Sequence, residues 1–339
     1  MALRLETEFL TLHTRHPFII ARGGQSEYRT VWVRLIDEEG REGWGEAAAT
    51  RFYGETAESA MAALQVYGQA LPASALDLEA AERTWLGMMG GNASARAALS
   101  AALHDLAGKT LGVPVWKLWG LDPAAAPRST FTIGIDTAEK MRAKVREAAE
   151  YPILKIKLGT DRDIELLEAV RCETDRELRV DANCGWTVKQ AIGMLPVLED
   201  FKVTVLEQPV MPADLDGLGE IRRRASMPVV ADESCRVASD IPALAGRVDG
   251  INIKLAKCGS LREAIRMIAT ARAHHMMVMV GCMIESSLGI SSAAHVTPLV
   301  DIVDLDGAAL LADDPFTGAA IAGGQVRLPD GPGLGVTRR

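Results

Sequence analysis

YPILKIK, residues 151–157, is a short apolar run that ends on a lysine, and four runs downstream end on charges in the same way. LRVD ends at Asp181, VTVLE at Glu207, PVVAD at Asp232 and INIK at Lys254. Successive charges are 24, 26, 25 and 22 residues apart. That interval is the length of one strand, one helix and two short loops, the repeat of a parallel β/α barrel. The strand C-termini of such a barrel form the rim that carries its active site. The pattern therefore predicts three carboxylates flanked by two lysines on one rim.

The other barrel strands follow the same rule. FTIGI (131–135) reads as the first, MMVMVG (276–281) as the seventh and VDIVD (300–304) as the eighth. Between strands the apolar spacing is helical: Ile164, Leu167, Ala169, Val170 and Cys172 fall on one face of residues 162–176, and Leu261, Ala264, Ile265, Ile268 and Ala271 on one face of 260–273. After Asp306 no long amphipathic run appears, so the eighth unit is expected to lack a regular helix. A chain of 339 residues exceeds the roughly 250 of one barrel. The surplus reads as an α+β capping domain over residues 1–120. It includes a hairpin of TVWVRLI (30–36) and EGWGE (42–46) about the turn DEEG (37–40), then helices opening near Thr56 and Ser59 and spanning Ala93–Leu111 before Gly112 and Pro114. The expectation is an α/β fold: a TIM-type barrel over 121–311, the N-terminal cap, and an irregular tail over 312–339 that packs back.

Net charge is −8 with no basic block, which argues against nucleic acid and anionic membrane surfaces. No apolar stretch reaches the eighteen or so residues of a membrane span, and the N-terminus lacks a signal-peptide core. The five cysteines are scattered without CxxC spacing, as expected of reduced cytoplasmic thiols. Cys184, Cys235 and Cys282 fall near strand ends, but no histidine stands at a matching rim position to activate a thiol. Homo-oligomerisation is left open.

Asp181, Glu207 and Asp232 end three adjacent strands, and neighbouring strands lie about 4.8 Å apart, so these side chains can converge. An all-oxygen, anionic set selects a hard divalent cation, with Mg²⁺ the first choice. An aspartate at a strand end can also be the N-cap of the next helix. Three acids in succession between two lysines favour the metal. Strands two and six face each other across an eight-stranded barrel, so Lys157 and Lys254 address opposite faces of one carbon. Lys155 shares the side of Lys157, and its charge favours a neutral, basic Lys157.

KIK (155–157), DAN (181–183), EQP (207–209), DES (232–234) and INIKLAKCGS (251–260), with the cap segment ARAALSAALHDLAGKTLGVPVWKLWG (95–120), resemble the muconate-lactonising subgroup of the enolase superfamily. Asp304-Leu-Asp306 is similar to the DxD motif of the dipeptide epimerases in that subgroup. The resemblance implies an Mg²⁺-dependent epimerase: the metal, on Asp181, Glu207 and Asp232, stabilises an enediolate while Lys157 and Lys254 exchange the α-proton. It further implies that Asp304 and Asp306 hold the α-ammonium of a dipeptide and that Lys155 and Asn183 assist the metal-bound carboxylate. Thr132 and Ser286 are placed near the substrate on the same basis. The cap loop IARGGQSE (20–27) resembles that of L-Ala-D/L-Glu epimerases but carries Gln25 where those have an arginine; Arg22 and Arg51 remain to meet an acidic side chain, and neutral or hydrophobic second residues are equally open. N-succinylamino acid racemase and o-succinylbenzoate synthase share the scaffold, but their substrates have no free ammonium for Asp304 and Asp306. A non-catalytic barrel would show a disrupted metal or lysine position, and the sequence shows none.

Overall fold

The computed structural model describes residues 3–339. Its N-terminal cap begins with an antiparallel sheet of three strands in sequence order, β1 (Arg4–Ile20), β2 (Gly23–Ile36) and β3 (Glu42–Ala47). The turn between β2 and β3 is closed by Gly40, at φ +78°, whose N–H donates to the Asp37 carbonyl at 3.1 Å. Helices α1 (Ala57–Tyr67), α2 (Leu78–Met88) and α3 (Ala93–Leu111) follow, and α1 opens on a capping box of Thr56 and Ser59. A Cβ on Gly43 or Gly45 would stand 2.0 Å from the carbonyl of Ala102 or Ala98 in α3. The glycines of β3 and the alanines of α3 thus let helix and sheet touch through their backbones. The cap core forms there, around Val31, Val33, Leu64, Trp85, Leu99 and Leu103.

The barrel strands are β4 (Phe131–Ile133), β5 (Ile153–Lys157), β6 (Glu177–Asp181), β7 (Val203–Glu207), β8 (Val229–Ala231), β9 (Gly250–Ile253), β10 (Met277–Gly281) and β11 (Ile302–Asp304). They pair in parallel in that order. The ring closes where Ser129 bridges Val303 and the Thr130 N–H donates to the Val303 carbonyl at 3.0 Å. Alternation sorts each strand between two environments. Leu154, Ile156, Val180, Leu206, Ile251, Ile253, Val278 and Val280 belong to the core shared with the outer helices. The opposite parity carries Val205, Val230, Met279 and Ile302, which cluster separately, and continues upward to Glu207, Asp232, Gly281 and Asp304. The chemical residues are therefore the top layer of an apolar barrel interior.

Two helical faces differ in the predicted detail. The helix after β5 is only Asp163–Arg171 and buries Asp163, Leu166, Leu167, Ala169 and Val170; Ile164 is half exposed and Cys172 lies past its end. The helix Leu261–Ala273 buries Leu261, Ala264, Met267, Ile268 and Ala271, close to expectation. After β11 only a 3₁₀ turn, Gly307–Leu310, follows, so the eighth unit does lack a helix. The tail forms two short antiparallel pairs, β12 (Phe316–Thr317) with β15 (Thr337–Arg338) and β13 (Ala320–Ala322) with β14 (Gln325–Arg327). It returns to the cap through Asp105, which accepts from the N–H groups of Trp44 at 2.8 Å and Leu334 at 2.7 Å.

Candidate active site

Parallel register sets Lys157 beside Asp181 and Asp181 beside Glu207, and Asp232 follows the end of β8. One carboxylate oxygen from each of Asp181, Glu207 and Asp232 lies within 4.8 Å of the others, and all three side chains are buried. They do not cap the next helices: Thr187 caps the helix after β6 and Asp214 the helix after β7. Lys157 Nζ is 2.7 Å from Asp181 Oδ2, and Lys254 Nζ is 2.7 Å from Asp232 Oδ2. Lys155 lies between, 2.7 Å from Glu207, 2.7 Å from Asp304 and 3.2 Å from Asp181.

Charge is unevenly compensated in this cluster. Burial works against the charged form of Asp181, but Lys157 and Lys155 outweigh it and hold its carboxyl at about 2. Burial likewise opposes ionisation of Asp232, where Lys254 and Lys257 keep it well below the usual carboxylate range. Glu207 is pushed up to about 7 by burial and by the charge of Asp181, despite Lys155. Lys155 stays firmly protonated, since Asp304, Glu207 and Asp181 overcome its burial. Near the triad, Asn183 Oδ1, Glu233 Oε2 and Asn252 Oδ1 are buried without a hydrogen-bond partner among the described residues. A buried all-oxygen triad, one member of which is short of positive charge, with acceptors to spare around it, fits a hard divalent cation.

A cleft of about 850 Å³ opens between cap and rim. Lys157, Lys254, Asp232, Asn183, Asp304, Asp306, Thr132 and Gln25 line it, while Asp181, Glu207 and Lys155 lie beneath. Asp304 is engaged on both oxygens, by Lys155 and by the Thr130 hydroxyl. Asp306 accepts the Thr132 N–H at 2.5 Å, and burial followed by the Asp304 charge lifts its carboxyl to about 7. Ser286 does not join the group. It is fully buried, and its N–H and hydroxyl donate to Glu46 of the cap, so Met283 and Ile284 face the cleft in its place. Arg22 is taken by Glu233 at 2.8 Å, whereas Arg51 lines the cleft and is exposed. Burial pushes the thiols of Cys235 and Cys258 up to about 12, and those of Cys184 and Cys282 also rise, so none of these four favours the thiolate.

Three supporting residues escaped the spacing argument. Lys257 donates to both the carbonyl and Oδ1 of Asp232, each at 2.5 Å, and to the carbonyls of Asn252 and Cys235. Asn252 donates to Glu207 Oε1 at 2.8 Å. Gln208 accepts the Asp232 N–H at 2.9 Å and so links the loops after β7 and β8. Asn252 was findable, since it sits two residues before Lys254 on the same strand face.

A capped β/α barrel whose rim sets lysines against a buried carboxylate triad has the architecture of a racemase or epimerase enzyme. The chain belongs to the mandelate racemase/muconate lactonizing enzyme family of the enolase superfamily: residues 6–120 match its N-terminal domain and residues 136–339 the enolase C-terminal domain-like family. It is 41% identical over 329 residues to the L-Ala-D/L-Glu epimerase of Bacteroides thetaiotaomicron, covering 96% of this chain and 86% of the relative. It is 37% identical over 346 residues to a hydrophobic dipeptide epimerase of Roseobacter litoralis, covering 98% of each. The dipeptide epimerase of Enterococcus faecalis, solved with Mg and L-Leu-L-Tyr, superposes at a TM-score of 0.94 with 31% identity over the whole of both chains.

Proposed function

We propose that the protein is an Mg²⁺-dependent dipeptide epimerase that inverts an α-carbon by removing its proton on one face and returning one on the other. The observation that carries this reading is the placement of Lys157 and Lys254, on β5 and after β9, each 2.7 Å from a different carboxylate of one triad and both open to one cleft. Asp181, Glu207 and Asp232 would hold the metal, which supplies positive charge to neutralise what builds on the substrate carboxylate as the α-proton leaves.

The remaining steps belong to the chain's own side chains. One lysine takes the α-proton at Nζ while the other, protonated, delivers its own to the opposite face, and the roles reverse with the handedness of the substrate. Each positioned transfer is worth about 10²–10⁴-fold. Lys155 acts as a fixed cation beneath the reacting carboxylate and Asn183 as an orienting group. Asp306, with Thr132 beside it, receives the free α-ammonium, and Asp304 backs that charge. The relatives named above support a dipeptide as substrate, and five unpaired cysteines accord with a cytoplasmic setting.

The test is a dipeptide library incubated with the protein and Mg²⁺ in deuterated water and read by mass spectrometry. An accepted dipeptide gains one deuteron at the inverted carbon. Failure of every free dipeptide to exchange overturns the reading.

A further inference from the structure

One of the cap's contacts with the rim is a hairpin whose tip carries a charge. β1 and β2 pair up to Ile20 with Gly23, leaving Ala21 and Arg22 as the turn. Gly23 lies at φ +100°, and a Cβ on Gly24 would stand 2.2 Å from the Phe18 carbonyl, so this tip needs both glycines. The tip is docked on the rim: the Ile135 N–H donates to the Ile19 carbonyl at 2.8 Å.

From that tip Arg22 reaches Glu233, the residue after Asp232, with Nη2 at 2.8 Å, while Nη1 donates to the Asn183 carbonyl at 2.5 Å. Its guanidinium lies 4.0 Å from the ring centre of Phe52, which belongs to the second cap loop facing the cleft. The Glu233 side chain is 1% exposed, and among the described residues Arg22 is its one ion-pair partner. If the hairpin lifted, Glu233 would lose its ion pair and keep only the long hydrogen bond from the Asn183 amide at 3.4 Å, which is unfavourable for a buried carboxylate. Lys254 of the barrel also acts on Glu233 through its charge, but the cation in direct contact with it comes from the cap.

We infer that Arg22 is a positioning residue that latches the cap hairpin over the cleft through Glu233, so that substrate capture depends on this pair. The inference rests on the dipeptide reading of the site. A planar fork that binds a carboxylate and a carbonyl while stacking on a ring is a task for arginine, and lysine can supply only the charge.

In Arg22→Met, hydrogen exchange at the amides of residues 19–24 is expected to quicken about tenfold or more, because the hairpin now opens locally at lower cost. For a dipeptide that the wild type accepts, KM should rise about tenfold and kcat fall by less than about threefold, the signature of lost binding and not lost chemistry. Glu233→Gln should act in the same direction, the double variant should be no worse than Arg22→Met, and Arg22→Lys should recover part of the loss. Unchanged exchange in the hairpin overturns the latch, as does a fall in kcat with KM unaltered. If the wild type turns over no dipeptide, the functional reading fails, and the exchange measurement still decides the latch.

Discussion

Lys155 Nζ and Asp304 Oδ2 are 2.7 Å apart inside the barrel, and the same ammonium is 2.7 Å from Glu207 and 3.2 Å from Asp181. One buried cation therefore joins the carboxylate triad to the acidic pair at the end of β11. Lys155→Met keeps much of the side-chain volume and removes the charge, leaving three buried carboxylates facing one another. Breaking a buried ion pair from one side costs about 3–5 kcal/mol. A lowered melting temperature that added Mg²⁺ partly restores is the expected outcome in a thermal scan.

Metal binding has its own readout. A ligand that binds only the folded state stabilises by mass action, about 2.7 kcal/mol at a hundred times its Kd. Mg²⁺ should raise the melting temperature of the wild type and leave that of Glu207→Gln unchanged. An equal response in both proteins would remove Glu207 from the ligand set.

The two lysines are separable by stereochemistry. Lys157→Ala and Lys254→Ala should each abolish net epimerisation, while each retains deuterium exchange with one stereoisomer only, and the two variants should retain opposite ones. A Lys254→Ala protein that still interconverts both isomers would exclude the two-base mechanism.

The rim was legible because its signals are local. A charge after each apolar run, at a repeated interval, follows from strand alternation and the β/α repeat, and the α3 boundaries follow from alanine content and a terminal glycine. What spacing cannot encode is contact across the fold. Ser286 at the start of a helix could face substrate or the cap, and only the cap's Glu46, 240 residues earlier and on another domain, decides for the second. The Arg22–Glu233 pair is hidden in the same way. Ile164 turned outward because the neighbouring Leu166, Leu167 and Val170 define the helix face against the barrel. The tail pairs, β12 with β15 and β13 with β14, are two or three residues long and too short for any period to show.

Asp304 and Asp306 have different partners and should fail differently. With both Asp304 oxygens already engaged, Asp306 is the freer acceptor for an ammonium. An anion gains a charge-assisted bond from an ammonium and none from an acylated nitrogen. N-acetylating the dipeptide should therefore lower kcat/KM sharply in the wild type. Asp306→Asn should lower it for the free dipeptide far more than for the acetylated one, whereas Asp304→Asn should impair both. A wild type that prefers N-acylated amino acids would replace the dipeptide reading with an N-succinylamino acid racemase.

Glu285 contributes, together with the buried Glu46 beside it, to the pH dependence of stability at the junction of barrel and cap. It is buried and accepts the Met283 N–H at 2.9 Å, and a Cβ on Gly289 would meet its Oε2 at 2.3 Å, so that glycine makes its space. Burial, then the charge of Glu46, pushes its carboxyl from 4.5 up to about 7. The folded protein therefore holds a proton that the unfolded chain has released. Its contribution to stability is complete below the unfolded value of 4.5, declines as pH rises, and is lost above about 7. At about 1.36 kcal/mol per unit the loss is on the order of 3 kcal/mol. Glu285→Gln mimics the protonated acid and should flatten the fall in stability between about pH 5 and 8, with the variant gaining on the wild type at the alkaline end. Denaturant unfolding of both proteins across that range checks it, and parallel curves would show that Glu285 is not the group being titrated.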